Sequence, residues 1–179
     1  MLTSLHIENF KAWSDTGRVR LAPLTIIFGA NSAGKSSLGH LLLALKQTVL
    51  SADRKRPLHL GDENSLIDLG TFAECIHNHD LGLPLRFELG WQLPHPLEVR
   101  DPLTRKKYHG DHLQLDVSLL ADKREQPRVQ QMRYEMSAGT ASQLAVSYTN
   151  DPQGRPEITS TQLKLVRGRR CAPVSAGWR

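Results

Sequence analysis

Eight residues, Gly29-Ala30-Asn31-Ser32-Ala33-Gly34-Lys35-Ser36, constrain this chain more than any other stretch. They follow the spacing glycine, four residues, Gly-Lys-Ser, and they stand between an apolar, β-rich run, Leu24-Thr25-Ile26-Ile27-Phe28, and a segment of helical period. Gly29 and Gly34 admit backbone angles that other residues resist, so the amides between them can turn inward where the helix begins. Such a loop suits phosphate: N–H groups at a helix N-terminus point at an anion, and the helix dipole favours negative charge there. On this reading Lys35 reaches the β and γ phosphates, the Ser36 hydroxyl is a ligand to Mg²⁺, and the Ser37 amide and hydroxyl face the α phosphate, with Asn31 near the γ phosphate. The competing reading is a glycine turn that caps a helix and happens to carry Lys-Ser. With glycine at about 7% of residues, a chance match in a chain of this length is on the order of one per cent or less.

The flanks set the expected architecture. Leu38, Leu41, Leu42 and Leu45 fall at i, i+3, i+4 and i+7, which predicts a helix from Lys35 to about Val49. Upstream, Leu5 and Ile7 alternate with His6 and Glu8, predicting a strand over about 3–9 that pairs as a hairpin with Arg18-Val19-Arg20-Leu21 across the turn Asp15-Thr16-Gly17. The run Leu24 to Phe28 carries no polar face and predicts a strand covered on both sides. Residues 51–65 read as a loop, followed by a short helix from Thr71 to Ile76 with Thr71 as its cap. Beyond Leu85 the period changes to two, over about 85–93, 113–120, 129–137, 143–149 and 158–166, with Asn150-Asp151-Pro152-Gln153-Gly154 as a turn between the last two segments. The expected fold is α/β: a P-loop nucleotide-binding core over 1–80, an antiparallel β subdomain over 81–167, and a disordered tail over 168–179.

Composition narrows the classes. At 179 residues and 39% apolar content the chain fits one folded domain rather than a disordered one. Its longest aliphatic stretch, Leu41 to Leu45, is far short of the roughly 20 residues a membrane span needs, and no leader-like run opens the chain, so a cytoplasmic protein without a membrane partner is expected. Cys75 and Cys171 lack CxxC spacing and suggest neither a disulfide scaffold nor a zinc site. The net charge of +5 gathers in Arg54-Lys55-Arg56, Arg105-Lys106-Lys107 and Arg167 with Arg169-Arg170, without the interleaved aromatics of single-strand nucleic-acid surfaces. These groups read as solvated loops. His77-Asn78-His79-Asp80 lacks a third clustered metal ligand and reads as a polar loop, and Asp101, Asp111 and Asp116 read as turn and surface residues.

Taken together, Leu5-His6-Ile7-Glu8-Asn9-Phe10-Lys11-Ala12-Trp13, Leu21-Ala22-Pro23-Leu24-Thr25 and the loop with Asn31 resemble the N-terminal lobe of ABC-type ATPases of the SMC, RecF and OLD-nuclease branch, in particular its bacterial AAA-family ATPases. The resemblance covers residues 1–50 and continues more weakly through Asp68-Leu69-Gly70-Thr71-Phe72 and His77 to Asp80. It implies ATP and Mg²⁺ as ligands and adds Lys11 as a contact to the nucleotide, with Trp13 nearby. It also implies a homodimer or heterodimer through the ATPase head, with DNA or an effector nuclease as partner, in DNA maintenance or antiphage defence. Departures from the family pattern are equally plain. No hhhhDE strand is present, Gln130-Gln131 and Gln143 sit inside strand-like segments, and Ser137-Ala138-Gly139 is no substitute for a signature segment. The chain therefore reads as an N-terminal fragment or truncated version, and hydrolysis by it alone is not expected, since phosphoryl transfer depends on positioned metal and water. The alternative is a non-catalytic nucleotide-binding subunit that pairs with a full-length ATPase. A small-molecule P-loop kinase would need an arginine-rich lid, for which only Arg54 and Arg56 are near.

Overall fold

The period-two segments assemble into a single antiparallel sheet in the computed structural model, which describes residues 1–150 and 155–163. Its strands are β1 (Leu2–Phe10), β2 (Trp13–Asp15), β3 (Val19–Arg20), β4 (Leu85–Arg100), β5 (Lys107–Ala121), β6 (Pro127–Ala138), β7 (Ala141–Asn150) and β8 (Pro156–Ser160). From β4 onward each strand pairs with the next, and β1 lies against β4 with Leu5 opposite Leu89 and Ile7 opposite Phe87. The outer edge of β1 is shared: β2 takes its end, Phe10 opposite Trp13, and β3 its beginning, Leu5 opposite Val19.

Register sorts the side chains onto two unlike faces. One carries Leu5 and Ile7 of β1, Phe87 and Leu89 of β4, Leu115 and Val117 of β5 and Met132 and Tyr134 of β6, all mutually opposed. The other carries Glu8, Arg86, Asp116 and Arg133 in the same order. This is the apolar-in, polar-out alternation of an antiparallel sheet with one face on the core. On the polar side Arg86 bonds Asp116 (2.7 Å), Glu88 (2.6 Å) and Glu8 (3.1 Å), and these carboxylates, Asp116 first, hold its guanidinium in the charged form above its ordinary range.

The helix α1 (Lys35–Leu50) lies on the apolar side. Leu38, Leu41 and Ala44 are buried in one core with Leu5, Ile7, Phe10 and Phe87, and Leu42 and Leu45 pack at its margin. Burying each leucine contributes about 1.5–3 kcal/mol, which holds the helix better than its propensity could. A second helix, α2 (Phe72–Cys75), begins with a reciprocal cap: the Thr71 hydroxyl accepts the Glu74 N–H while the Glu74 carboxylate accepts the Thr71 N–H. Those bonds pull the Glu74 carboxyl below its usual value. Buried Phe72 and Cys75 fasten α2 to the core, and burial pushes the Cys75 thiol up to about 11.

The α/β P-loop fold expected from the sequence is corrected here. No parallel pair occurs among the described strands, the one sheet runs unbroken from β1–β3 into β4–β8, and two helices accompany eight strands. The decisive stretch is Leu24 to Phe28. It forms no strand; Leu24, Ile26, Ile27 and Phe28 are 78%, 64%, 45% and 87% exposed. An apolar run without a polar face states that it wants cover on both sides, and the described residues bring it neither a neighbouring strand nor a covering helix. The hairpin of β1 with Val19–Arg20 forms as expected, and Trp13–Asp15 adds a pairing the sequence did not announce. Residues 151–154 of the last turn, 164–166 of the last segment and the tail with Cys171, Arg167, Arg169 and Arg170 lie outside the described residues. Among the described residues no helix is long and apolar enough to cross a membrane.

Candidate functional site

The glycine loop is strung between the edge of the sheet and α1. Leu21 N–H bonds the Thr3 carbonyl at 2.8 Å, and the chain then runs through the exposed stretch to Gly29. Gly29 (φ 157°), Ser32 (φ 62°) and Gly34 (φ 79°) all take positive φ, so the loop coils back on itself in three places. The two glycines do so without strain, as the motif anticipates. Gly34 then opens α1 with no side-chain cap, and no acidic residue stands in the first turn. The amides of Lys35 and Ser36 meet no acceptor among the described residues, and the helix dipole adds its positive end to them.

Lys35 folds back over the loop. Its ammonium donates to the carbonyl of Gly29 at 2.9 Å and to that of Ala30. A cation therefore sits inside the coil, held by two carbonyls alone, where it can exchange them for stronger anionic oxygens. Beside it is a cavity of about 290 Å³ walled by Lys11 and Ala12 on one side and by Ser32 and Gly34–Ser37 on the other. Of the residues singled out in the sequence, Lys11, Ser32, Gly34, Lys35, Ser36 and Ser37 thus converge. Gly29 and Ala30 stand behind the wall as the carbonyls that hold Lys35, and Asn31 and Ala33 complete the coil without lining the cavity. Ser37 is buried on the inner side of α1 and donates its amide to the Gly34 carbonyl at 3.0 Å. Ser36 lines the cavity from the first turn of α1.

Lys11 reaches the loop through an unusual turn. Its φ is 49°, its N–H bonds the Cys75 carbonyl at 2.8 Å, and its carbonyl accepts from His77 Nδ1 at 2.9 Å. The segment His77-Asn78-His79, which reads from sequence as a polar loop, is a single 3-10 turn with Asn78 and His79 at positive φ, and it serves as a strap under Lys11. Spacing gives no hint of this, because the partners are brought together by tertiary pairing, with Phe10 bridged to Ile76 and the Lys11 amide on Cys75. Trp13, a mere neighbour of the nucleotide in the family resemblance, has a defined contact: its indole N–H donates to the Gly34 carbonyl at 2.9 Å.

Larger hollows lie elsewhere. One of about 500 Å³ is lined by Lys55, Arg56 and the start of α2, another of about 640 Å³ by Lys123, Arg124 and Arg128, and neither contains a residue of the loop. Asp101 caps its own turn, bonding the Leu103 amide and the Thr104 hydroxyl, while Asp116 is spent on Arg86. Among the described residues no group of three or more His, Cys, Asp or Glu side chains is placed to hold a metal ion. Magnesium takes hard oxygen ligands and keeps several waters, so the Ser36 hydroxyl suits it only as one ligand beside phosphate oxygens. Compared with protein-family models and with curated proteins, the sequence matches none.

Proposed function

We propose that this chain binds the phosphates of ATP, with Mg²⁺, through Gly29–Ser37, with Lys11 on the facing wall. It does so as the nucleotide-holding part of an SMC-, RecF- or OLD-like ATPase that serves DNA maintenance or antiphage defence once a C-terminal lobe completes it. The observation that carries the phosphate reading is the convergence of two lysines on the uncapped start of α1, whose Lys35 and Ser36 amides meet no acceptor among the described residues. The chemistry divides among the parts. Amides and dipole take phosphate oxygens, Lys35 trades its carbonyls for them, and Ser36 supplies one oxygen to the metal that arrives with the nucleotide. No group in the cavity wall is a carboxylate or histidine that could activate water, so the chain is proposed to hold nucleotide rather than hydrolyse it.

A second reading, a non-catalytic subunit that pairs with a full-length ATPase, is favoured by the exposed run Leu24–Phe28 directly ahead of the loop. Calorimetric titration with ATP and Mg²⁺ beside Lys35→Ala, with a phosphate-release assay on the same samples, tests the first reading. Binding lost in the variant without phosphate release supports it. Absence of binding by the wild type sinks it, and Lys35-dependent phosphate release would overturn the holding role. Sedimentation of the chain mixed with an intact ATPase of that branch tests the second reading, which requires a complex between the two without phosphate release by this chain.

A further inference from the structure

The firmest tie between the loop and the sheet is made by a residue outside the motif. We propose that Trp13 is a positioning residue for the phosphate loop: its indole N–H fixes the Gly34 carbonyl and thereby the direction in which the Lys35 amide points. The inference rests on the phosphate reading for its purpose, though not for its geometry.

In a trans peptide the C=O and N–H lie in one plane and point in opposite directions across the C–N bond. The Gly34 oxygen and the Lys35 N–H belong to the same peptide. The oxygen is pinned twice, by Trp13 Nε1 at 2.9 Å and by the Ser37 amide at 3.0 Å. With the oxygen held by Trp13 and the Ser37 amide, the Lys35 N–H points the opposite way, and it meets no acceptor among the described residues. The turn that carries Trp13 lies hard against this peptide. A Cβ on Gly34 would stand 2.7 Å from Ala12 Cβ and 3.0 Å from Trp13 Nε1, closer than side chains tolerate.

Trp13 is itself anchored. It is paired opposite Phe10, which is fully buried, and its ring packs at the margin of the core. Two residues before it, Lys11 is strapped to Cys75 and His77. The indole N–H is thus already committed to the Gly34 carbonyl by a residue held in the sheet, which suits it to orient the loop.

Trp13→Phe keeps an aromatic ring and removes the donor. Amide exchange of the ligand-free chain is read at Ser37, whose bond depends on the Gly34 carbonyl staying in place, and affinities are measured for magnesium pyrophosphate and magnesium ATP. The expected result is Ser37 exchange several-fold faster and both affinities lowered by a similar factor, about tenfold. Unchanged Ser37 exchange overturns the proposal, as does a loss confined to ATP, which would put Trp13 on the base. If the wild type binds neither ligand the phosphate reading fails separately, and Ser37 exchange still decides whether Trp13 holds the loop. The wild type gives a measurement that needs no variant to fold: the Trp13 indole N–H is expected to exchange slowly, and exchange at the rate of a free indole overturns the proposal.

Discussion

His77 holds Lys11 through the backbone, its Nδ1 donating to the Lys11 carbonyl at 2.9 Å across 66 positions of sequence. With the Lys11 amide on Cys75, both polar groups of a residue at φ 49° are tied to the α2 segment. The wall of the cavity opposite the glycine loop is therefore set by a strap that contributes no side chain to the cavity.

His77→Ala should remove one hydrogen bond of about 1 kcal/mol, which in a chain of this size lowers Tm by roughly 2–4 °C. Thermal unfolding measures it. The same variant should weaken magnesium ATP binding less than Lys11→Ala does, because it loosens a support and leaves the ammonium in place.

Phe28→Ser and Ile26→Ser test the corrected fold. If these side chains stood in a strand covered on both faces, each change would cost about 3 kcal/mol or more. At 87% and 64% exposure they should change stability by less than about 0.5 kcal/mol in urea unfolding. Binding of a hydrophobic dye should fall with each substitution.

Leu41→Ala removes a fully buried side chain from the contact of α1 with the sheet. A loss of about 2–5 kcal/mol is expected from the urea midpoint. Leu43→Ala, on the exposed side of the same helix, should stay within about 0.5 kcal/mol.

The Glu74 cap gives stability a dependence on pH. Its carboxyl is lowered from 4.5 by the Thr71 amide and hydroxyl, so the charged form is favoured on folding. That contribution is fully present above about pH 4.5 and fades as pH falls through the lower folded value. The Tm difference between wild type and Glu74→Gln should accordingly be constant near neutrality and shrink in acid; a difference that grows in acid would falsify the cap's role. Thr71→Ala, which removes the reciprocal partner, should cost about 1 kcal/mol at neutral pH.

Much of the fold is legible from spacing, and the illegible parts share a cause. Leu38, Leu41 and Leu45 mark α1 because a helix that buries one face must repeat every three or four residues, and α1 runs Lys35–Leu50. The meander is legible for the same reason at period two. Strand β4 outruns the segment that its alternation marks, because Pro94 and Pro96 cannot donate to a ladder and so read as a break. The strand carries them where register shifts between Gln92 and Leu97, and pairing resumes to Arg100. In the loop, glycine positions announce two of the three positive φ values, the third being at Ser32, but nothing local announces that Trp13 and His77 support it, since those contacts join residues far apart in sequence. Leu24–Phe28 misleads for a related reason: hydrophobicity reports a demand for cover and says nothing of what supplies it.

The pairing of Leu5 with Leu89 also sets the order in which the molecule can form. Strands β4 to β8 are joined by short connections and can zip as successive hairpins, whereas β1 must close a loop that contains α1, α2 and the whole glycine segment before it gains its first contact with β4. Pulse-labelled exchange should find β5 and β6 amides protected before those of Leu5 and Ile7. The glycine loop would then be among the last parts of the chain to acquire its shape, and a ligand that grips it would act on the final step of folding and slow the first step of unfolding.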